Sequence, residues 1–418
     1  MRYNQLNKYS FGVGDRFAHQ AKAQLIAIKK ASEQGIDITP VWNKSFREHT
    51  IIKSKPIQTR EAADRAVKEL KWQNSYFLDA DHINLNTVDH FVDCCDFFTL
   101  DVADYIGNNA PEGDIKNFVS KQAKFIGNLN IKGQSKSFRI TEEILFQIAG
   151  KYLFAVKEAG KIYRHILQKK RDQDIVIEVS MDETDSPQTP LELLFILAAL
   201  TDEQIPLQTI APKFSGRFNK GVDYVGNVDQ FRQEFEEDLA VIQFAIDQFN
   251  LPENLKLSVH SGSDKFSIYP VINAAIKKYN AGVHIKTAGT TWLEELIGLA
   301  EAGGSGLAIA KEIYASAYSK SEDLCAPYAS VIDINTAQLP SPNEVNSWDG
   351  KKYAESLRHD QTNSNYNPNL RQLLHVGYKI AANMGDDYLD ALIKNEEVIS
   401  KNVTENIYTR HIKPIFID

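Results

Sequence analysis

The chain has 418 residues, 43% of them hydrophobic, which is enough for a large core and too many for a minimal domain. Its net charge is −8 with no basic stripe among the aromatics, so nucleic acid is not an expected partner. The start MRYNQLNKYSFGVG lacks an apolar signal core, no run of about 18 apolar residues follows, and the three cysteines fit no metal spacing, so a reduced, cytoplasmic, membrane-free setting is expected.

Short apolar segments alternate with helical ones along most of the chain. ITPVW (38–42) reads as a strand and TREAADRAVKEL (59–70) as a helix capped by Thr59. SYFLDAD (75–81) is the next strand, DFFTLDVADYI (96–106) a further apolar stretch, and 142–170 shows helical spacing with a basic end. DIVIEVS (174–180) is a β-branched strand, and Pro190 opens a helix. Residues 205–214 read as a strand, 228–249 as a helix, and 255–261 and 281–289 as strands, each followed by a helical pattern. The alternation predicts an α/β fold with a mostly parallel sheet, and so many units favour a closed (β/α)8 TIM-type barrel with helical and loop insertions. No GxGxxG follows the first strand, which counts against a dinucleotide-binding fold. The expected organisation is one barrel domain over 1–418, with a loop excursion at 335–368 and a C-terminal helical segment at 370–418 packed on the barrel.

In such a barrel the chemistry sits at the C-terminal ends of the strands. Those ends carry Asp79, Asp81 and His82; Glu178, then Asp182, Glu183 and Asp185; Lys213, Ser215 and Arg217; His260; and His284 with Lys286. Carboxylates and imidazoles from different strands are the usual makings of a divalent metal site, and the cations suit an anionic substrate. Glu178 lies in an apolar β-branched run, where an unpaired carboxylate is costly, so it needs either a role in the site or a salt bridge. Asp182, Glu183 and Asp185 read as a solvated loop and cap. His284 is as readily core as site, and His19, His49, His375 and His411 have no acid-and-strand context.

The segments FLDADHINL (77–85), IVIEVSMDETDSPQTPLEL (175–193), IAPKFSGRFNKGVDYVG (210–226), LSVHSGSDKFSIYP (257–270) and VHIKTAGTTWLEEL (283–296) together resemble the tagaturonate epimerase family of hexuronate catabolism. Asp81-His82 and the turn His260-Ser261-Gly262-Ser263 are also similar to the Asp-His pair and the His-Gly-Gly-Ser turn of class II metal-dependent aldolases. There the Asp moves a hydroxyl proton and both histidines bind the metal. Where those aldolases supply a third histidine, this chain reads Ala211-Pro212-Lys213.

The resemblance implies interconversion of D-tagaturonate and D-fructuronate. The inverting carbon lies β to the ketone, so enolisation cannot invert it. Retro-aldol cleavage, rotation and re-addition can, whereas transient oxidation would need a nicotinamide. The resemblance further implies a divalent cation (Mn, Zn, Co, Ni or Mg) on His82, His260 and Asp223, with Glu178 and His284 as alternatives to Asp223. Asp81 is then the proton acceptor and Glu178 the complementary donor. Lys213, Arg217 and Lys265 would hold the substrate carboxylate, and Ser261 and Ser263 would donate further hydrogen bonds. The expected partner is a small sugar acid; no oligomeric state is implied. The alternative on the same frame is a metal-dependent sugar or sugar-acid aldolase. A non-catalytic sugar-acid binder is disfavoured, because extra carboxylates do not help to bind an anion.

Overall fold

Eight short strands pair side by side until the last meets the first. In the computed structural model, which describes residues 5–170, 175–287 and 289–418, they are β1 (Tyr9–Gly14), β2 (Ile38–Ser45), β3 (Phe77–Ile83), β4 (Phe97–Asp101), β5 (Val176–Ser180), β6 (Leu207–Ala211), β7 (Lys256–His260) and β8 (Val283–Thr287). All neighbours are parallel and the order around the closed barrel is that of the sequence. The fold is the (β/α)8 TIM-type barrel. No helix among the described residues is long and apolar enough to cross a membrane.

Local chemistry explains the helix starts. Thr189 accepts the N–H of Glu192 and Glu192 reaches back to the Thr189 N–H, so a capping box with Pro190 in the first turn opens the helix Pro190–Asp202. Asn227 likewise accepts from the N–H groups of Asp229 and Gln230 to start Val228–Phe249. Thr59 is not a cap: it is buried inside Pro56–Leu70, which begins at its proline. The stretch 335–368 is not a plain loop either. Ser341 and Asp349 cap the helices Pro342–Asn346 and Gly350–Leu357, which bury Val345, Tyr353 and Leu357, with Trp348 buried between them. The helices Pro368–Val376, Tyr378–Met384, Asp386–Lys394 and Glu396–Glu405 follow, and a widely wound helical segment, Asn406–Ile417, ends the chain.

The barrel interior has two levels. At the N-terminal end Leu6, Val41, Phe77, Phe97 and Val176 form an apolar plug. Above it the inward side chains turn polar and stay buried: Ser10, Asp79, Thr99, Glu178, His284 and Lys286. β1 escapes a propensity reading because two glycines break its apolar run, yet one of them is required. A Cβ at Gly12 would stand 2.9 Å from Cγ of Lys286 on the neighbouring β8, so only glycine lets that side chain cross the barrel.

Outside the barrel, on the helix Thr290–Ala302, Glu295 is buried; Oε2 accepts from the Tyr388 hydroxyl at 3.0 Å and Oε1 has no well-aligned hydrogen bond among the described residues. Burial, with Asp15 adding to it, pushes this carboxyl up to about 8 from 4.5. The folded protein keeps a proton that the unfolded chain releases, so the contribution is full below pH 4.5 and is lost as pH rises through about 8. Glu295→Gln is therefore expected to raise Tm by about 2–4 °C more at pH 8.5 than at pH 5.5 in scanning calorimetry. An equal shift at both values would refute the titration.

Candidate active site

His82 sits in a bulge of β3, with φ +52° and a register shift against β4 between Ala80 and Ile83. A left-handed residue in a bulge re-aims its side chain, here at the mouth of the barrel. Asp81, before it, pairs in register with Ser45 of β2 and is nearly buried. Its Oδ1 accepts from His82 Nδ1 at 2.9 Å and from Lys286 Nζ at 2.8 Å. His260 closes β7, with Nε2 2.9 Å from Glu178 Oε1. Both carboxylates are ionised and can only accept, so they place ring protons on Nδ1 of His82 and Nε2 of His260.

The opposite ring nitrogens, His82 Nε2 and His260 Nδ1, are buried and, among the described residues, make no well-aligned hydrogen bond. Both point at Asp182 Oδ1, at 3.5 and 3.2 Å. Asp182 follows β5 by two residues, and its Oδ1 accepts a hydrogen bond from the Ser180 hydroxyl. Among the described residues these three side chains form a group whose donor atoms lie within 4.8 Å of one another. Ligands about 2.1 Å from one ion stand about 3–3.4 Å apart, so the 3.2 Å separation suits a cation and the 3.5 Å one lies just beyond it. The outer carboxylates orient the rings as outer partners of metal-binding histidines do.

The charges agree. Burial would lower both imidazoles, but Asp81 and Asp182 hold His82 well above its ordinary range, and Asp182 and Glu178 hold His260 at about 9. The site thus demands positive charge at the free ring nitrogens. Lys286 neutralises the acids beside them, reaching Asp79 Oδ2 at 2.7 Å, Asp81 Oδ1 at 2.8 Å, Glu178 Oε1 at 3.0 Å and the Thr99 hydroxyl at 2.7 Å. Burial would raise the Asp81 and Glu178 carboxyls, but Lys286 and the adjacent histidines hold both well below the usual range. Asp79 behaves differently: burial prevails over Lys286 and its carboxyl rises to about 7.

Several expected roles do not match this geometry. Asp223 does not join the histidines; its carboxylate accepts from the Ser267 N–H and hydroxyl and from its neighbour's N–H. His284 lies one level lower, with Nδ1 2.9 Å from the Ser10 hydroxyl, its ring against Phe97, and burial lowering its pKa to about 3. Glu178 is fully buried and held ionised, its Oε1 meeting His260 and Lys286, an arrangement that suits orienting the His260 ring better than giving up a proton. The polar side chains of the turn after His260 are taken up by partners within the fold. Ser261 donates to the Lys286 carbonyl at 2.7 Å. Ser263 accepts from the Gly221 N–H and from Lys265, whose buried ammonium also meets the carbonyls of Asn219, Val222 and Asp264. Asp264 anchors the turn to the C-terminal helices, accepting from Arg371 at 2.8 Å and from Thr290 at 3.0 Å, with His359 at 3.1 Å and His411 at 3.2 Å. Arg217 is largely exposed, 3.4 Å from Asp333. Lys213 is half-buried two residues past β6.

Comparison with known proteins identifies the family. The family model described as tagaturonate epimerase matches residues 2–415. A tagaturonate/fructuronate epimerase from Thermotoga maritima is 26% identical over 420 residues, covering 96% of this chain and 80% of the relative. Crystal structures of the fructuronate-tagaturonate epimerase from Cohnella laeviribosi share the fold. One with two glycerols bound has a TM-score of 0.80 at 24% identity, over 100% of this chain and 83% of that one. The native form has a TM-score of 0.78 at 22% identity, over 98% and 82%. The chain belongs to the tagaturonate epimerase family, enzymes of the isomerase class.

Proposed function

We propose that the enzyme interconverts D-tagaturonate and D-fructuronate with the help of a divalent cation, by retro-aldol cleavage and re-addition. The observation that carries this reading is the pair of buried, unbonded imidazole nitrogens converging on Asp182 beside an ionised Asp81. His82, Asp182 and His260 would hold the cation, which when bound supplies Lewis acidity toward the substrate's ketone. Asp81 is kept ionised and so stands ready to accept the proton of the hydroxyl at the inverting carbon. Lys286 fixes Asp81 and Glu178 in place, and Glu178 fixes the His260 ring. A cytoplasmic setting agrees with three free cysteines.

The test strips the protein with a chelator, resupplies Mn, Zn, Co, Ni or Mg in turn, and follows D-fructuronate by NMR. Cation-dependent appearance of D-tagaturonate without free three-carbon fragments is expected. Accumulating fragments would turn the reading to an aldolase, and no change with any cation would remove it. At saturating cation, Asp81→Asn is expected to lower kcat by about 10²–10⁴. Full turnover in that variant would refute the acceptor role.

A further inference from the structure

The acids and histidines of the site lie deep in the mouth, while two cations with no ion-pair partner among the described residues sit over it. Arg47 follows β2 by two residues and Lys220 lies in the segment after β6. These strands are four places apart in a ring of eight, on opposite sides of the barrel. The two side chains nevertheless meet on one aromatic ring. The Arg47 Cζ is 5.2 Å and the Lys220 Nζ 5.6 Å from the centroid of Tyr328. They therefore arch over the barrel mouth from opposite rims.

Neither side chain has an ion-pair or hydrogen-bond partner among the described residues, unlike the other cations nearby. Arg16 is paired to Glu48 at 3.0 Å, and Lys44 donates to the Arg16 carbonyl and the Ser54 hydroxyl. Lys220 is half-buried, and burial together with Arg47 lowers its pKa. Two like charges brought together, one partly desolvated and neither in direct ion-pair contact, repel one another; Glu183, Glu48 and the Tyr328 ring offset part of that repulsion, and an anion bridging both would offset the rest. Glu183, next to Asp182, is near enough to act on both charges, which places the pair close to the converging ligands.

We propose that Lys220 and Arg47 are the specificity-determining pair that holds the carboxylate of the sugar acid above His82, Asp182 and His260. The proposal deepens the epimerase reading and rests on it for the identity of the acid. It gives the substrate a polarity: the carboxylate outward under two cations, the reacting carbons inward toward Asp81.

The test compares D-fructuronate with D-fructose, which carries a hydroxymethyl group in place of the carboxylate, and adds D-gluconate as an unreactive acid. In Lys220→Met and Arg47→Met, KM for D-fructuronate and Ki for D-gluconate are expected to rise about 10–100-fold, the usual loss of a charge-assisted hydrogen bond. kcat and the binding of D-fructose should change less than about threefold, and Lys220→Arg should restore much of the loss. Arg47 is exposed on a short helix, so its variant tests the idea even if Lys220→Met folds poorly. Unchanged KM and Ki in both variants, or equal losses for acid and neutral sugar, would overturn the proposal. A wild-type enzyme that binds D-gluconate through this pair but leaves D-fructuronate unchanged would instead sink the epimerase reading alone.

Discussion

Lys286→Met is expected to destabilise the protein by about 3–5 kcal/mol, the range for removing one partner from a buried ionic group. Its ammonium is the one lysine or arginine charge in ion-pair contact with Asp79, Asp81 and Glu178 among the described residues. Methionine fills the space beside Gly12 but leaves three carboxylates facing one another in a dry interior. They can relieve this only by taking up protons, so their folded pKa values rise above the unfolded ones. The stability at stake is then present at low pH and lost as pH rises through those values. The deficit in urea unfolding should accordingly be larger at pH 8 than at pH 5. Adding Asp79→Asn, which removes the carboxyl already pushed up to about 7, should recover part of the loss, because the two sites are in contact and not additive. A variant as stable as wild type at pH 8 would mean that the three carboxylates do not depend on Lys286. Activity should vanish with the stability, since Asp81 and Glu178 would lose the charge that keeps them ionised.

The barrel was legible in the sequence because its signals are local. β-Branched runs such as VIEVS and capped helices such as TPLEL announce themselves over a few residues. His82, His260 and Asp81 were legible for a related reason: each ends a readable strand, and the ends of barrel strands share one mouth. Asp182 was not, although it stands in the same mouth. It lies in an acidic, turn-rich run that looks solvated, and only barrel closure brings it to histidines on β3 and β7. The usable signal was its place just beyond a strand that already carries a buried acid. Lys286 was visible at its strand end but drew no role, since its partners lie across the barrel and no spacing along the chain encodes that crossing. The HSGSDK turn misled in the opposite direction. Serines, an aspartate and a lysine around a glycine suggest a grip on a ligand, yet they are consumed by the fold: Asp264 joins the barrel to Arg371, His359 and His411, all from the C-terminal part of the chain. Those contacts span about a hundred residues or more, which pattern reading cannot see.

His260→Ala should release the cation while leaving the barrel intact. The His260 side chain sits at the rim of the interior, 6% exposed, and its ring makes two polar contacts, to Glu178 and Asp182. Alanine leaves Glu178 still paired to Lys286 and Asp182 still bonded to Ser180, so no carboxylate is stranded. Unfolding should shift by only a few degrees. Cation content is the decisive readout, because a vanished activity alone would not separate binding from chemistry. After dialysis the wild type should carry stoichiometric cation. The variant should bind it more weakly by more than the roughly 10–100-fold that loss of an outer partner causes. Glu178→Gln supplies that comparison: it keeps the ligands and weakens only the orientation of the His260 ring. The third ligand is settled by the same measurement. Asp182→Asn should lose the cation as His260→Ala does, while Asp223→Asn disturbs the turn it caps at Ser267. If cation content instead followed Asp223 and ignored Asp182, the convergence of His82, His260 and Asp182 would be a hydrogen-bonded acid–imidazole cluster, and the cation would have to be sought elsewhere in the mouth.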